Sequence, residues 1–252
     1  MAFKIPSELS ALSSKLGTLG FEGPRRAAAA LALSFFTVLY LFLSFNAPPG
    51  WGPAFAALGL CYLVAFFAVV AGWFWGRWFA TGLGWSGLMV AVISLVMVGW
   101  APALVIYGAL HALVVLPLAG KSMAAQYDLQ ESWRQRYRMD ELGVARLRKT
   151  ITRSAASLPS LILWALGPKE GQGMVFSLAA LGLTIVGLSG VVRLRTWGWL
   201  AVAGAAAMAF GGGHLVSASA LEVAGPNLAA ALLLTATIPF LAPAASYLRS
   251  RR

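Results

Sequence analysis

Charged residues are scarce in this sequence, and acidic residues are scarcer than basic ones. Among 252 residues, 11% are charged and 60% are hydrophobic, whereas about 25% of the residues in a soluble domain are charged. This balance excludes an ordinary soluble domain and predicts a membrane protein. The net charge of +11 would indicate nucleic-acid binding in a soluble chain. Here the cations flank apolar segments, where they contact anionic headgroups, so we expect membrane lipids as partners and no nucleic acid.

The sequence also has few residues of the kinds that carry chemistry. Cys61 is the only cysteine, so it cannot form an intramolecular disulfide or a cysteine metal cluster. No zinc set, phosphate loop or nucleotide fingerprint is visible. All eight acidic residues fall outside the apolar segments, although ion-coupled transporters and proton pumps usually carry Asp or Glu inside their spans. We therefore predict a protein that is not an enzyme and holds no cofactor or metal.

Long apolar segments are what the sequence has in abundance. Eight of them, from Ala27 to about Tyr247, approach or reach the length of a membrane-crossing helix. The fifth is the weakest, because its core is short and contains Pro159. We predict an all-α, polytopic integral membrane protein with about eight transmembrane helices. The first apolar segment is too long for a signal peptide and follows a long polar lead, so we expect an uncleaved amino terminus.

The placement of Lys and Arg predicts the orientation of the chain. With eight spans, every one of the 19 basic residues except Lys169 falls on the same side. Basic residues concentrate in cytoplasmic loops. We therefore expect a multi-pass protein of the inner (plasma) membrane with both termini cytoplasmic.

A shift of 123 residues superposes part of the second half of the sequence on the first. It places Arg25-Arg26 on Arg148-Lys149 and the run 56–60 on 179–183. The matches fade after the second apolar segment of each half, so a duplication that gives two tandem four-helix repeats is a hypothesis. The predicted organisation is a cytoplasmic amphipathic helix, a first four-helix membrane unit, a basic amphipathic linker, a second four-helix membrane unit and a basic cytoplasmic tail. These parts cover residues 1–26, 27–120, 121–149, 150–248 and 249–252.

The linker is the longest polar segment between apolar ones. Leu129, Trp133 and Tyr137 recur in it every four residues, with Arg134 and Arg138 beside them. This spacing places the apolar residues on one face of a helix. One interpretation is a surface helix whose arginines contact lipid phosphates. The other is a docking platform for further membrane-protein subunits, and these five residues are its predicted contacts.

Two patterns with possible chemistry involve the histidines. The glycine-flanked Ser86 fits the pattern of intramembrane serine proteases, which need a histidine base within hydrogen-bond reach. The sequence predicts that neither His111 nor His214 shares the depth of Ser86. The same histidines could ligate a b-type haem, yet at ~1.5 Å per residue they are predicted roughly 10 Å apart in depth. We expect hydrogen-bonded neutral histidines instead, with Tyr107, His111 and His214 lining any internal cavity.

Three functions are compatible with these patterns. The leading hypothesis is a non-catalytic multi-pass subunit of a larger inner-membrane assembly, which docks its partners through cytoplasmic amphipathic helices. The alternative is a facilitator or permease for a lipid-like or small neutral solute that passes between the two four-helix halves. The third is a b-type haem electron carrier.

Overall fold

The computed structural model describes residues 22–128, 130, 133–135, 140–169, 172–193, 195–216 and 220–249. Within these ranges the regular secondary structure is entirely α-helical, and residues 133–135 are also helical. The helices are named here α1 (Glu22–Asn46), α2 (Gly52–Val70), α3 (Gly76–Val98), α4 (Pro102–Leu118), α5 (Lys121–Tyr127), α6 (Glu141–Leu166), α7 (Gln172–Val192), α8 (Thr196–Val216) and α9 (Ala220–Arg249). The predicted amphipathic helix at residues 3–20 lies outside the described residues.

Local sequence explains several of the helix boundaries. Helices α2 and α4 each carry a proline in their first turn, where its fixed φ angle suits a helix and its missing N–H costs nothing. Helix α6 begins after Asp140, whose carboxylate accepts a hydrogen bond from the Gly143 N–H at 2.7 Å. Helix α3 ends before Gly99, whose φ of 89° is readily adopted only by glycine.

The long helices pack as two groups of four. In the first unit, α1 contacts α2 and α4, and α3 contacts α2 and α4. In the second unit, α6 contacts α7 and α9, and α8 contacts α7 and α9. Helix α6 joins the two units, because it also packs against α3 and α2. This contact is close: a Cβ atom on Gly82 of α3 would lie 2.3 Å from the Thr152 carbonyl oxygen of α6.

Five of the described helical segments are long and apolar enough to cross a membrane. They are Gly23–Asn46, Gly52–Val70, Gly76–Val98, Gly173–Val192 and Val223–Leu241. The pair α4 and α5, bent by 73°, is a sixth if it forms one broken span. The chain is therefore a helical membrane protein with five or six candidate spans, and the predicted number of eight is not confirmed.

The two long helices that are not among these candidate spans are α6 and α8. The first half of α6 carries Arg146, Arg148, Lys149 and Arg153, which are costly to place in hydrocarbon. The predicted boundary between linker and second membrane unit, at residues 149 and 150, falls inside the continuous helix α6.

Basic residues from distant parts of the chain meet at one end of the bundle, here called the basic end. Arg25 of α1 donates a hydrogen bond to Ser122 Oγ of α5 at 3.2 Å, and Arg26 donates to the Val70 carbonyl at the end of α2. At the opposite end, the turn after α1 contacts the turn after α6, where Gly50 lies against Pro168. The starts of α1 and α5 and the end of α2 therefore lie together at the basic end.

Candidate functional site

A buried polar cluster lies among α1, α2 and α4, with His111 at its centre. The His111 side chain is 0% exposed. Its Nε2 atom lies 2.8 Å from the Tyr62 hydroxyl, and its Nδ1 atom lies 2.9 Å from the Tyr107 carbonyl oxygen. A carbonyl can only accept, so Nδ1 carries the proton and Nε2 accepts from Tyr62. Both nitrogens of a neutral imidazole are thereby used within the chain.

The surroundings of His111 leave its ring no free space. The ring centroid of Phe36 lies 3.9 Å from that of the imidazole. A Cβ atom on Gly87 of α3 would lie 1.9 Å from His111 Cδ2, so only glycine fits at this crossing of α3 and α4. Nearby, the Tyr40 and Tyr107 hydroxyls are hydrogen-bonded at 3.2 Å. These groups form a packed core with satisfied hydrogen bonds.

The structure changes the sequence-based view of Ser86. Because Gly87 contacts His111, Ser86 and His111 lie at similar depth, and the predicted difference in depth is wrong. Both residues lie near the middle of their helices, α3 and α4, whereas the prediction placed Ser86 near the cytoplasmic end of its span. Ser86 is buried, but it is not hydrogen-bonded to His111, whose two nitrogens bind Tyr62 and Tyr107. The arrangement therefore does not activate a serine nucleophile.

The predicted cavity-lining residues separate into two places. Tyr107 and His111 come together in the first unit, but His214 lies on α8 of the second unit. The side chain of His214 is exposed, and its ring packs edge-on against Phe210 at 4.6 Å. The two histidines do not face each other, as axial ligands of one haem must.

A second buried polar group lies at the basic end and was missed by sequence reasoning. Arg77, at the start of α3, donates from Nε to Asp128 Oδ1 at 3.0 Å and from Nη2 to Oδ2 at 2.5 Å. The Trp78 indole donates to the same carboxylate at 2.8 Å, and Arg77 also donates to the Leu118 carbonyl at 3.1 Å. A bidentate pair between arginine and a carboxylate is strong and directional. Its sequence signal is a lone arginine between apolar segments, which requires a partner.

Trp133 attaches the linker to the membrane helices. Its ring stacks on Phe74 at 4.3 Å and meets Trp78 edge-on at 6.2 Å, and its indole donates to the Tyr127 carbonyl at 3.3 Å. Trp133 is only 6% exposed, so its predicted role as an exposed docking contact does not fit the structure. Phe74 and Trp78 of this chain cover the Trp133 ring. Of the other predicted contacts, Leu129, Tyr137 and Arg138 lie outside the described residues.

Arg134 lies in a cleft with other charged residues of the linker and of the start of α6. The cleft has a volume of about 340 Å³ and is lined by α5, Arg134 and the first turns of α6. Lys121, Arg134 and Arg148 supply three cations to it, and Asp128 and Glu141 supply two carboxylates. Because Arg77 already neutralises Asp128, the cleft is basic on balance.

A longer groove runs between the two units, and is here called the inter-unit groove. It has a volume of about 480 Å³ and is lined by α2, α6 and α7, with Trp75 and Phe79 of the turn and start of α3. Its walls are apolar except near the basic end, where Ser189 and Arg193 face it.

The fold therefore offers two surfaces with chemical character, the basic cleft and the inter-unit groove. In the described residues, no three His, Cys, Asp or Glu side chains come together as a metal site would require. Comparison of the chain with known protein families, with curated proteins and with solved structures finds no match.

Proposed function

We propose that the protein is a non-catalytic, multi-pass subunit of a larger inner-membrane assembly, with its basic end in the cytoplasm. The observation that most supports this proposal is that buried side-chain contacts hold the basic cleft in a fixed position. The Arg77–Asp128 pair and the Trp133–Phe74 stack fix the linker to the membrane helices. Rigid placement lowers the entropic cost of binding a partner.

The contact residues of this proposal differ in part from those predicted from the sequence. Lys121, Arg134, Glu141 and Arg148 are accessible in the cleft, whereas Trp133 supports the cleft from inside. A partner that fits them is an acidic segment of another membrane subunit, since opposite charges guide and orient association. Leu129, Tyr137 and Arg138 stay predicted contacts.

The interior supports a structural role for the first unit. The His111 nitrogens and the hydroxyls of Tyr40, Tyr62 and Tyr107 are paired with one another or with the backbone. Polar groups inside a membrane protein mark a pathway when they face water or lack partners. Here they join α1, α2 and α4 into one body.

Co-purification tests the subunit function. The tagged protein is extracted in a gentle detergent, and its companions are identified by size exclusion and mass spectrometry. A stoichiometric partner is expected, and Lys121→Ala with Arg134→Ala should release it. Lys149→Ala is the matched control, because Lys149 is exposed on α6 but does not line the cleft. A homogeneous particle without any partner would contradict the proposal.

We also propose that the chain crosses the membrane eight times, as two tandem four-helix repeats. The 123-residue shift supports this, because it pairs five of the eight buried positions of α2 with buried positions of α7. The pairs are Ala54 with Ser177, Leu58 with Leu181, Cys61 with Thr184, Ala65 with Leu188 and Ala68 with Val191. In a Cys61→Ser background, cysteines at positions 148 and 169 should be labelled from opposite faces of sealed vesicles. Labelling from the same face would exclude α6 as a span.

A second candidate function is facilitated movement of a lipid-like solute, for which the inter-unit groove is the supporting observation. The groove lies where such a path was predicted, between the two four-helix halves. Reconstituted liposomes should then exchange labelled phospholipid between leaflets faster than protein-free liposomes. Equal rates would exclude this function and leave the subunit function standing.

A further inference from the structure

We infer that the inter-unit groove binds an anionic phospholipid, with one acyl chain between α2 and α7 and the phosphate at Arg193. The inference specifies the ligand class of the second candidate function. That function requires the lipid to move between leaflets, whereas binding does not. The inference is therefore independent of the subunit function and can hold if transport fails.

The length of the groove matches one leaflet. Its wall on α7 extends from Leu181 to Arg193, just after the end of the helix. Twelve residues of helix span about 18 Å at ~1.5 Å per residue, and half of a bilayer's hydrocarbon core is about 15 Å. A chain lying in the groove would thus reach from the middle of the membrane to the basic end.

The cross-section of the groove suits an acyl chain. On the α2 wall, Ala57 and Cys61 are small and leave space that a larger side chain would fill. The rims carry Leu60 and Ile185, which are 59% and 56% exposed. Because these exposed side chains face the bilayer in a membrane protein, the occupant enters sideways from the lipid phase.

The charge at the mouth of the groove selects the headgroup. Arg193 is exposed, and no described carboxylate lies within ion-pair distance of it. Guanidinium groups bind phosphate oxygens in pairs, and the Ser189 hydroxyl lies one turn earlier on the same helix. Trp75 lies at the same mouth, and tryptophan favours the headgroup level of a bilayer. These side chains therefore favour a lipid headgroup with a net negative charge over a zwitterionic headgroup.

Native mass spectrometry of the detergent-purified chain tests the inference, with phosphatidylglycerol and phosphatidylcholine of identical acyl chains as probes. We expect the wild type to retain phosphatidylglycerol preferentially. Arg193→Ala should reduce this retention about fivefold, the effect of removing one cation from a headgroup site. Arg193→Lys should keep most of it. Lys149→Ala, which removes an exposed cation elsewhere at the basic end, should leave it near the wild-type value.

A groove-filling variant provides the second arm. Ala57→Leu should reduce the retention of both lipids, because it occupies the chain-binding part of the groove, while the size-exclusion profile stays that of the wild type. Equal retention of the two lipids by the wild type would overturn the inference. So would unchanged phosphatidylglycerol retention in Arg193→Ala. Lipid retention without exchange between leaflets would support the site and exclude only the transport function.

Discussion

The Asp128 carboxylate lies against the Arg77 guanidinium, with an oxygen-to-nitrogen distance of 2.5 Å, and both side chains are less than 10% exposed. One residue follows α5 and the other begins α3, so this pair connects the linker to the first unit. Arg148 of α6 approaches the same carboxylate at 3.9 Å. Three elements of the chain thus meet at one carboxylate.

Asp128→Asn should destabilise the protein by about 3–5 kcal/mol, because it leaves the Arg77 charge buried without a counter-charge. The free energy of unfolding in detergent measures the effect. Glu141→Gln removes an exposed carboxylate from the same cleft and should change stability by less than about 1 kcal/mol. Equal effects of the two substitutions would show that the Arg77–Asp128 pair does not hold the linker.

Gly87→Ala should cost about 1–3 kcal/mol through overpacking. The added methyl would lie 1.9 Å from His111 Cδ2, and the ring cannot move without losing its hydrogen bonds to Tyr62 and Tyr107. Gly182→Ala is the matched control, since a Cβ atom there meets nothing within 4 Å. The thermal unfolding temperature of Gly87→Ala should be lower than that of the wild type, and that of Gly182→Ala should be equal or higher.

Tyr62→Phe should cost about 1–3 kcal/mol, because it leaves His111 Nε2 buried without a donor. Tyr40→Phe removes a hydroxyl whose partner, Tyr107, is only half-buried, and should cost less. Chemical denaturation of both variants in detergent checks the order. A larger loss of stability for Tyr40→Phe would mean that His111 Nε2 gains another hydrogen-bond donor in the Tyr62→Phe variant.

Lys169 should make stability depend on pH in the alkaline range. Burial lowers the pKa of this lysine from 10.5 to about 8, and its Nζ atom is occluded without a hydrogen-bond partner, 5.0 Å from the Trp164 ring centroid. Between these two pKa values the unfolded chain binds the additional proton, so stability rises with pH. Below about pH 8 the full cost of the buried ammonium is present.

Unfolding measurements between pH 7.5 and 10 check this effect of Lys169. Lys169→Met should remove the lysine's contribution to the slope and should stabilise the protein most at the lower pH. Lys149→Met, at an exposed position, should leave the slope unchanged. Parallel curves for the wild type and Lys169→Met would contradict the lowered pKa.

Apolar patterning predicted the helices themselves well. Each of the eight apolar segments falls on one of the eight long helices described. Tyr107 and His111 are brought together by a four-residue spacing that sequence alone displays. The start of α6 was predicted less accurately. Its first half carries charged residues, and its apolar face continues across the predicted end of the linker, so composition placed a boundary where the helix has none.

The same reasoning could not predict which residues the polar and aromatic side chains contact. Trp133 is covered by Phe74, which lies 59 positions earlier in the chain and is placed there by the packing of α2 and α3. The Arg77–Asp128 pair likewise joins residues far apart in sequence. Periodicity reports which face of a helix is apolar, but it does not report whether a partner or the chain itself covers that face.

Helix α6 forms a wall of both surfaces proposed for binding. Glu141 and Arg148 line the basic cleft, while Leu158 and Ile162 of the same helix line the inter-unit groove. A docked subunit that tilts α6 at its start would change the width of the inter-unit groove further along the same helix. By thermodynamic reciprocity, a lipid that favours one tilt would alter the affinity for that subunit by the same factor. The lipid composition of the membrane would then regulate assembly of the complex.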